Sequence, residues 1–456
     1  MRRLLGSREQ LRSPTARALF GTFLGYLPGF ILPFAIAARM HIGGLTDAYS
    51  YALGIATFAA GLFTGVLQTN ILPVLQHAKR FGRAYFHQRL RQITWQATVI
   101  VTVMYVVVGA AAVIYIDAHA HWSATQEQLV LGATILFGLF VIASSINSMI
   151  AAAINALGGF FRPAASQALR SLLPLILVPF VPRDASGFLI IGAVMAGGEF
   201  VRTLTLMRDL NRRGAVVPAS SERAPEVDMS FWRVAAPSAL ALVVAAASPL
   251  VDRAVAAPLA PGSVTVIDLG ERVFQVPLTV LAASLILVAG THWAELGRSD
   301  IPALRAHVRR TMGRGVVVSV ALTVLVLLAV GACALVVGPR FAGTSTARFL
   351  GVVSFLMAGL PAAYIIYAGA RFLTATRTTY LLPGFAVISF STNLVFDLIG
   401  AQLLGVEGIA LSSTIYRCVN AVLYLLVVHR LLATRFTGLR LGRPTFMTIR
   451  PRQRDA

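Results

Sequence analysis

The stretch that decides the fold is 93–116, ITWQATVIVTVMYVVVGAAAVIYI, which has no charged side chain over 24 residues. A helix of this length covers about 36 Å, enough to cross the ~30 Å hydrocarbon core of a bilayer. The segment before it, QHAKRFGRAYFHQRLRQ (76–92), is rich in basic residues, whereas DAHAHWSATQE (117–127), after it, contains no lysine or arginine. The stretch is therefore typical of a transmembrane helix with one basic flank.

The same alternation of apolar runs and polar gaps continues along the 456 residues. Hydrophobic residues make up 57% of the chain and charged residues 12%, a composition too poor in charge for a soluble domain of this size. Because a helix satisfies its own backbone in lipid, we predict an all-α polytopic membrane protein of about twelve transmembrane helices in two six-helix lobes. The predicted spans are 16–38, 48–75, 93–116, 128–156, 163–182, 187–208, 231–258, 264–292, 314–337, 348–371, 378–402 and 405–429.

Arginines collect in every second gap, which predicts the topology. The second gap holds Lys79, Arg80 and Arg83, and the eighth holds Arg305 and Arg309. Both chain ends are also basic. Because basic loops stay on the cytoplasmic side, both termini are expected in the cytoplasm of a bacterial cell, with the chain in its inner membrane. A net charge of +21 spread over such loops favours anionic lipids as partners and argues against nucleic acid.

The two halves of the chain resemble each other. A shift of 219 residues places Gly43 on Gly262 and Arg91 on Arg310, within similar patterns of spans and basic gaps. The polar, proline-containing segment RRGAVVPASSERAPEVD (212–228) separates the halves. Six spans on each side predict parallel repeats that rock around a central cavity. The predicted domains are an N-terminal lobe (1–211), a cytoplasmic linker (212–229), a C-terminal lobe (230–432) and a basic tail (433–456).

A cluster of ionisable residues lies at the start of the second half. Since a charge inside a span costs at least a few kcal/mol, such residues usually face a cavity or an oppositely charged partner. Asp268, Glu271 and Arg272 have spacings of three and four, so they can share one helix face, with Asp252 and Arg253 shortly before them. Two hypotheses remain. The cluster is either a structural network of ion pairs between helices, or a substrate site in which arginine binds phosphate and the carboxylates bind a cation.

Fewer charges lie elsewhere in the spans. Asp47 opens the second span and is a candidate substrate-binding residue. Glu199, three residues before Arg202, is either its ion-pair partner or an ion-coupling residue. Asp397, isolated within the eleventh span, is a second candidate for ion coupling.

Enzyme chemistry finds no support in the sequence. The chain has no Walker A loop, HExxH pair or GxSxG elbow, and its loops are too short for a soluble catalytic domain. Cys333 and Cys418 both fall inside predicted spans, so neither a disulfide framework nor a metal site is predicted. We expect a monomer that is not an enzyme and needs no cofactor.

Two stretches carry a family resemblance: TDAYSYALGIATFAAGLFTGVLQTNILPVL (46–75) and the segment from Val251 to Leu296. They resemble the lipid II flippase family (MurJ, formerly MviN) of the multidrug/oligosaccharidyl-lipid/polysaccharide (MOP) exporter superfamily. The matching positions are Thr46, Asp47, Ala48, Tyr49, Gly262, Ser263, Glu271, Arg272 and Pro277. The resemblance implies a two-lobed protein that flips undecaprenyl-pyrophosphate-linked sugars by alternating access, with Arg272 in a cationic central cavity contacting the pyrophosphate.

The sequence departs from that family in its first two helices, where the positions around Thr22, Pro28 and Ala60 are not basic. The glycan therefore stays open between lipid II and another polyprenyl-pyrophosphate-linked glycan. Two other functions also remain: a cation-coupled multidrug exporter of the same superfamily, using Asp47 or Asp397, and a non-transporting scaffold of a polysaccharide-synthesis complex. A positive cavity would favour the pyrophosphate, and a negative one would favour cationic drugs.

Overall fold

The computed structural model describes residues 14–214, 243–244, 246–341, 346–376 and 378–435, and every regular element in this part of the chain is helical. The first half contains α1 (Pro14–Met40), α2 (Gly44–Ala78), α3 (Arg83–His119), α4 (Ala124–Ala156), α5 (Phe161–Ala165 and Leu169–Leu177, joined by a 3-10 turn) and α6 (Ala185–Gly214). The second half contains α7 (246–256), α8 (Ser263–Leu281), α9 (Leu287–Ser299), α10 (Ile301–Phe341), α11 (Thr346–Ala358), α12 (Leu360–Ala375), α13 (Leu382–Leu404) and α14 (Val406–Arg430).

These helices confirm the predicted fold class. The first six predicted spans coincide with α1 to α6 in order, and α8 with α9 covers the eighth span. Over the described residues, seven helices are long and apolar enough to cross a membrane, or eight if α11 and α12 form one span bent by 41°. The seventh span is described only from residue 243, and most of the predicted linker and basic tail lie outside the described residues. The chain is a polytopic helical membrane protein.

Local sequence explains where several helices begin and break. Ser123 caps α4, because its hydroxyl oxygen accepts a hydrogen bond from the backbone N–H of Gln126. The Gln126 side-chain oxygen in turn accepts from the backbone N–H of Ser123, which completes a capping box. Gly262 precedes α8 with a φ of 95°, a left-handed conformation that glycine adopts without strain. Pro174 lies inside the broken helix α5, where it removes a backbone donor.

The helices pack in two groups. In the first group, α4 packs against α2, α3 and α6, while α5 packs against α1 and α6. In the second group, α14 packs against α11, α12 and α13, while α10 packs against α9, α11 and α12. The groups meet chiefly where α8 contacts α2 and α1. Side chains at this contact are therefore placed to link the two groups.

The helices alternate in direction, so their junctions fall at two ends of the molecule. We call the end formed by the junctions 41–43, 120–123 and 257–262 the Asp47 end. The opposite end, formed by the junctions 79–82 and 157–160 together with the end of α6, is the Lys79 end. Much of the surface between them is apolar: in the most apolar window of α10, only 6% of residues are buried. Such a surface is expected to face lipid.

Candidate functional site

Asp47, in the first turn of α2, joins the two groups at the Asp47 end. Its carboxylate accepts hydrogen bonds from the backbone N–H groups of Gly262 (2.6 Å) and Thr265 (2.8 Å) and from the Thr265 hydroxyl (2.7 Å). The N-terminus of a helix leaves such N–H groups without partners and favours negative charge. Asp47 therefore caps α8 from the opposite group. At the same end, the Trp122 indole N–H donates to the Ala257 carbonyl over 2.9 Å.

Asp268 is shared between two arginines. Its carboxylate accepts from Nη2 of Arg253 and, over 2.9 Å, from Nε of Arg272, one helical turn further along α8. Arg253 crosses to the first group: a Cβ placed on Gly54 of α2 would lie 2.7 Å from its Cδ atom. Asp268 is buried, whereas 26% of the Arg272 side chain is exposed. This arrangement carries one net positive charge close to the contact between the groups.

Glu271 does not join that arrangement. It lies on the next face of α8 and accepts a 2.8 Å hydrogen bond from Nη2 of Arg417 in α14. The Arg417 guanidinium also lies 4.1 Å from the centre of the Phe274 ring. Both charged side chains are at most 10% exposed. Glu271 and Arg417 therefore form a buried ion pair within the second group, which the sequence did not predict because 146 residues separate them.

Asp252 and Asp397 lie together, although the sequence did not connect them. The Asn393 amide of α13 donates to both carboxylates, over 2.7 Å to Asp252 and 2.9 Å to Asp397. Ser413 of α14 donates to the second oxygen of Asp252 over 3.2 Å. These four side chains are buried, the Asp252 and Asp397 carboxyl groups lie within hydrogen-bonding reach of each other, and Oδ1 of Asn393 has no partner. Unpartnered buried oxygens are rare because their desolvation is costly.

Glu199 belongs to a separate cluster in the first group. Both of its oxygens accept from Nη1 of Arg202, over 3.1 and 3.2 Å, and the Asn147 amide donates to one of them over 2.6 Å. Nη1 of Arg170, on α5, is 3.8 Å from the same carboxylate. The spacing of Glu199 and Arg202 predicted their pairing. Arg170 was missed, although an arginine inside a predicted span was itself a signal.

A cavity of about 610 Å³ lies beside the Glu199 cluster, enclosed by α1, α2, α4, α5 and α6. Its walls include Thr22 and Ala60, two of the positions at which the sequence is not basic. Arg170 and Arg202 are the charged residues among those that line it, and Arg272 is not one of its lining residues. The lining residues are Thr22, Tyr26, Thr57, Ala60, Gly61, Phe140, Ser144, Ser148, Ala151, Asn155, Phe160, Pro163, Ala164, Gln167, Arg170 and Arg202.

Solved structures of other proteins share this fold. A multidrug-resistance MATE family transporter of the MOP superfamily, in an inward-facing conformation, matches with a TM-score of 0.67 at 15% identity, covering 93% of this chain and 100% of the other. A MOP superfamily transporter from Pyrococcus furiosus matches with a TM-score of 0.64 at 13% identity, covering 92% and 95%. The chain thus has the fold of MOP superfamily transporters.

The family follows from the sequence. The family model of the lipid II flippase MurJ matches residues 20–442, so this chain belongs to the lipid II flippase MurJ family. A structure of the lipid II flippase MurJ in an inward closed conformation has a TM-score of 0.71 at 15% identity, covering 90% of this chain and 87% of the other. No curated protein sequence matches the chain. Family membership confirms the predicted resemblance and places the chain among transporters rather than enzymes.

Proposed function

We propose that this chain flips a polyprenyl-pyrophosphate-linked glycan of the lipid II type across the bacterial cytoplasmic membrane. The observation that carries the proposal is the match of the flippase family model to residues 20–442, almost the whole sequence. The charge of the large cavity agrees with it, since the charged residues lining the cavity are arginines. A pyrophosphate is attracted to such a wall, whereas a cationic drug is repelled.

The transport mechanism we propose is alternating access between two lobes. In this mechanism the two packing groups act as the lobes 1–211 and 230–432, the linker 212–229 joins them, and both termini are cytoplasmic. Asp47 and Trp122 hold the groups together at the Asp47 end. Transport then requires these contacts to break so that the molecule opens at that end and closes at the Lys79 end.

Arg272 is the residue we assign to the pyrophosphate when the groups separate. Its side chain is the more exposed of the two arginines on Asp268, and Nε is the atom engaged with the carboxylate. The planar guanidinium keeps its charge when buried and binds phosphate oxygens in pairs. Asp268 and Arg253 would orient Arg272, while Glu271 serves the separate ion pair with Arg417.

Ion coupling is assigned to Asp397 together with Asp252. Asp252 and Asp397 are two buried carboxyl groups bridged by one amide, with no arginine among their hydrogen-bond partners. Because two adjacent buried carboxylates repel each other, the pair is suited to hold a proton or to exchange it for a monovalent cation. Glu199, the other candidate, is already neutralised by Arg202, so it is the weaker choice.

Genetic replacement tests the proposed function. Cells depleted of their own lipid II flippase are expected to lyse, because peptidoglycan synthesis stops when its lipid-linked precursor stays in the inner leaflet. Expression of this chain should restore growth, while an Arg272→Ala variant present at the same level in the membrane should restore it poorly. Failure of the wild-type chain to rescue growth, together with no flipping of lipid II after reconstitution, would contradict lipid II as the substrate.

Reporter fusions at position 220 test the topology and should indicate a cytoplasmic linker.

A further inference from the structure

Arg170 lines the large cavity of the first group, and its neighbour Glu199 is too far away to accept a hydrogen bond from it. Glu199 is completely buried and binds both Arg202 and Asn147. Arg170 lies 3.8 Å from Glu199, too far for a hydrogen bond, and 28% of its side chain is exposed. Two arginines beside one carboxylate leave a net positive charge at the cavity wall. The guanidinium fork of Arg170 is therefore available to an anion in the cavity.

Polar side chains also line the cavity. The Asn155 Oδ1 atom is buried and has no partner, although the side chain borders the cavity. Gln167, Ser144 and Ser148 border the same space. The amide and hydroxyl groups that line the cavity can donate and accept hydrogen bonds. They suit a polar occupant such as a sugar, which carries hydroxyl and amide groups.

The size of the cavity also suits a small polar group. Its volume of about 610 Å³ falls within the ~300–1,000 Å³ usual for small-molecule sites. Phe160, near the end of α4, belongs to its lining, so the cavity extends towards the Lys79 end. That is the end proposed to face the cytoplasm, where a lipid-linked precursor is made.

We propose that Arg170, supported by Arg202 and Glu199, forms an anion subsite for the pyrophosphate of the lipid-linked substrate, with Asn155 contacting its first sugar. The subsite rests on the proposed function in naming the substrate, and it adds a second phosphate contact within the first group, separate from Arg272. Glu199 and Arg202 position Arg170: their ion pair fixes the adjacent charge and leaves the Arg170 fork facing the cavity.

Binding of defined probes to the purified protein in nanodiscs tests the subsite. The probes are an undecaprenyl pyrophosphate and inorganic pyrophosphate. Arg170→Gln should weaken binding of the lipid pyrophosphate about 10-fold or more, since hydrogen bonds between charged groups are among the stronger ones. Arg170→Lys keeps the charge but loses the fork, so it should fall between Arg170→Gln and wild type. Arg162→Gln is the matched control, because Arg162 lies on the same broken helix, pairs with Asp209 and is not a cavity-lining residue.

The results distinguish failure of the Arg170 subsite from failure of the proposed function. Wild-type affinity in both Arg170 variants would overturn the subsite, and so would equal losses in Arg170→Gln and Arg162→Gln. Binding of inorganic pyrophosphate but not of the lipid would overturn the assignment to a lipid headgroup. The proposed function is measured separately, as flipping of lipid II by wild-type protein in vesicles. If wild type flips lipid II and Arg170→Gln does so equally well with unchanged affinity, the subsite fails alone. If wild type flips nothing but binds the lipid probe through Arg170, the proposed function fails alone.

Discussion

Asp47 is the residue whose contacts span the two helix groups most directly. Its carboxylate receives three hydrogen bonds from the first turn of α8, over 2.6 to 2.8 Å, in a buried position. Charge-assisted hydrogen bonds to a carboxylate are stronger than neutral ones, and the helix N-terminus adds a favourable dipole. One residue on α2 therefore stabilises the closed state of the Asp47 end.

Asp47→Asn should shift the molecule towards opening at that end. The amide is neutral, and its NH2 group would face the N–H donors of α8, so we expect a loss of about 1.5–3 kcal/mol in the closed state. The measurement is electron-spin distance between labels on cysteines introduced at Thr125 and Ala260, after replacement of Cys333 and Cys418. Longer distances should become populated in Asp47→Asn. Asp117→Asn, an exposed position at the same end, is the control, and identical distributions in both variants would contradict this role.

Arg417 and Glu271 depend on each other because both are buried. Arg417→Ala would leave Glu271 without its cation in a low-dielectric environment, which typically costs about 3–5 kcal/mol. We expect a lower midpoint of thermal unfolding in detergent for this variant. The double variant Arg417→Ala with Glu271→Gln removes the stranded charge, so it should unfold at a higher temperature than Arg417→Ala. A double variant no more stable than the single one would show that the stranded charge is not the cause.

The spacing of residues along the sequence predicted contacts within one helical turn, but it did not predict contacts between residues far apart in the chain. The pairs Asp268–Arg272 and Glu199–Arg202 have spacings of four and three, which helical geometry brings together, and both pairs are present. The contact of Asp47 with Gly262 joins residues 215 positions apart, and that of Asn393 with Asp252 joins residues 141 apart. Such contacts are set by how helices pack, which no local pattern in the sequence records.

At the scale of elements, α13 and α14 approach each other closely at two glycines. A Cβ on Gly400 would lie 2.5 Å from both the Gly408 carbonyl oxygen and the Ser412 Oγ. Small residues allow such close packing of membrane helices, where van der Waals contact drives association. This contact fixes α13, which carries Asn393 and Asp397, against α14, which carries Ser413 and Arg417. The geometry of the buried carboxylates therefore depends on these glycines.

Gly400→Ala should destabilise the protein, because the backbone of Gly408 cannot move aside as a flexible side chain can. Overpacking of this kind costs about 1–3 kcal/mol. Gly384→Ala is the matched control, since Gly384 lies on the same helix and a Cβ there would meet nothing within 4 Å. Thermal unfolding in detergent should give a lower midpoint for Gly400→Ala and an unchanged or higher one for Gly384→Ala. Equal midpoints would contradict the close packing of α13 and α14.

The elements themselves were largely predictable from hydropathy, and their interruptions were not. Runs of apolar residues located the spans because lipid imposes both their length and their composition. The bend between α11 and α12, the 3-10 turn within α5 and the π-helical turn between α8 and α9 lie inside runs that read as continuous. The 3-10 turn at 166–168 and the π-helical turn at 282–286 contain no proline, so no local signal in the sequence marks them. They lie next to Arg170 and at the end of α8, where the candidate sites are.

At the scale of the whole molecule, two arginines share one carboxylate at each of the two candidate sites. Arg253 and Arg272 share Asp268 near the contact between the groups, and Arg170 and Arg202 share Glu199 beside the large cavity. Each place carries two arginines for one carboxylate, and so one net positive charge. The alternative of a cation exporter fits poorly with two such places, although the Asp252 and Asp397 pair leaves room for a coupling cation.

We propose that this chain moves a lipid-linked pyrophosphate across the membrane and that Arg272 binds the pyrophosphate. The direct measurement is the rate at which fluorescent lipid II, incorporated in vesicles with the purified protein, changes leaflet. Wild-type protein should flip it well above protein-free vesicles. Arg272→Ala should reduce the rate about 10-fold or more. Arg272→Lys should reduce it less, because lysine keeps the positive charge and loses only the two-pronged guanidinium. The exposed Arg348→Ala should have no effect. Equal rates for wild type and Arg272→Ala, or no flipping above protein-free vesicles, would contradict the account.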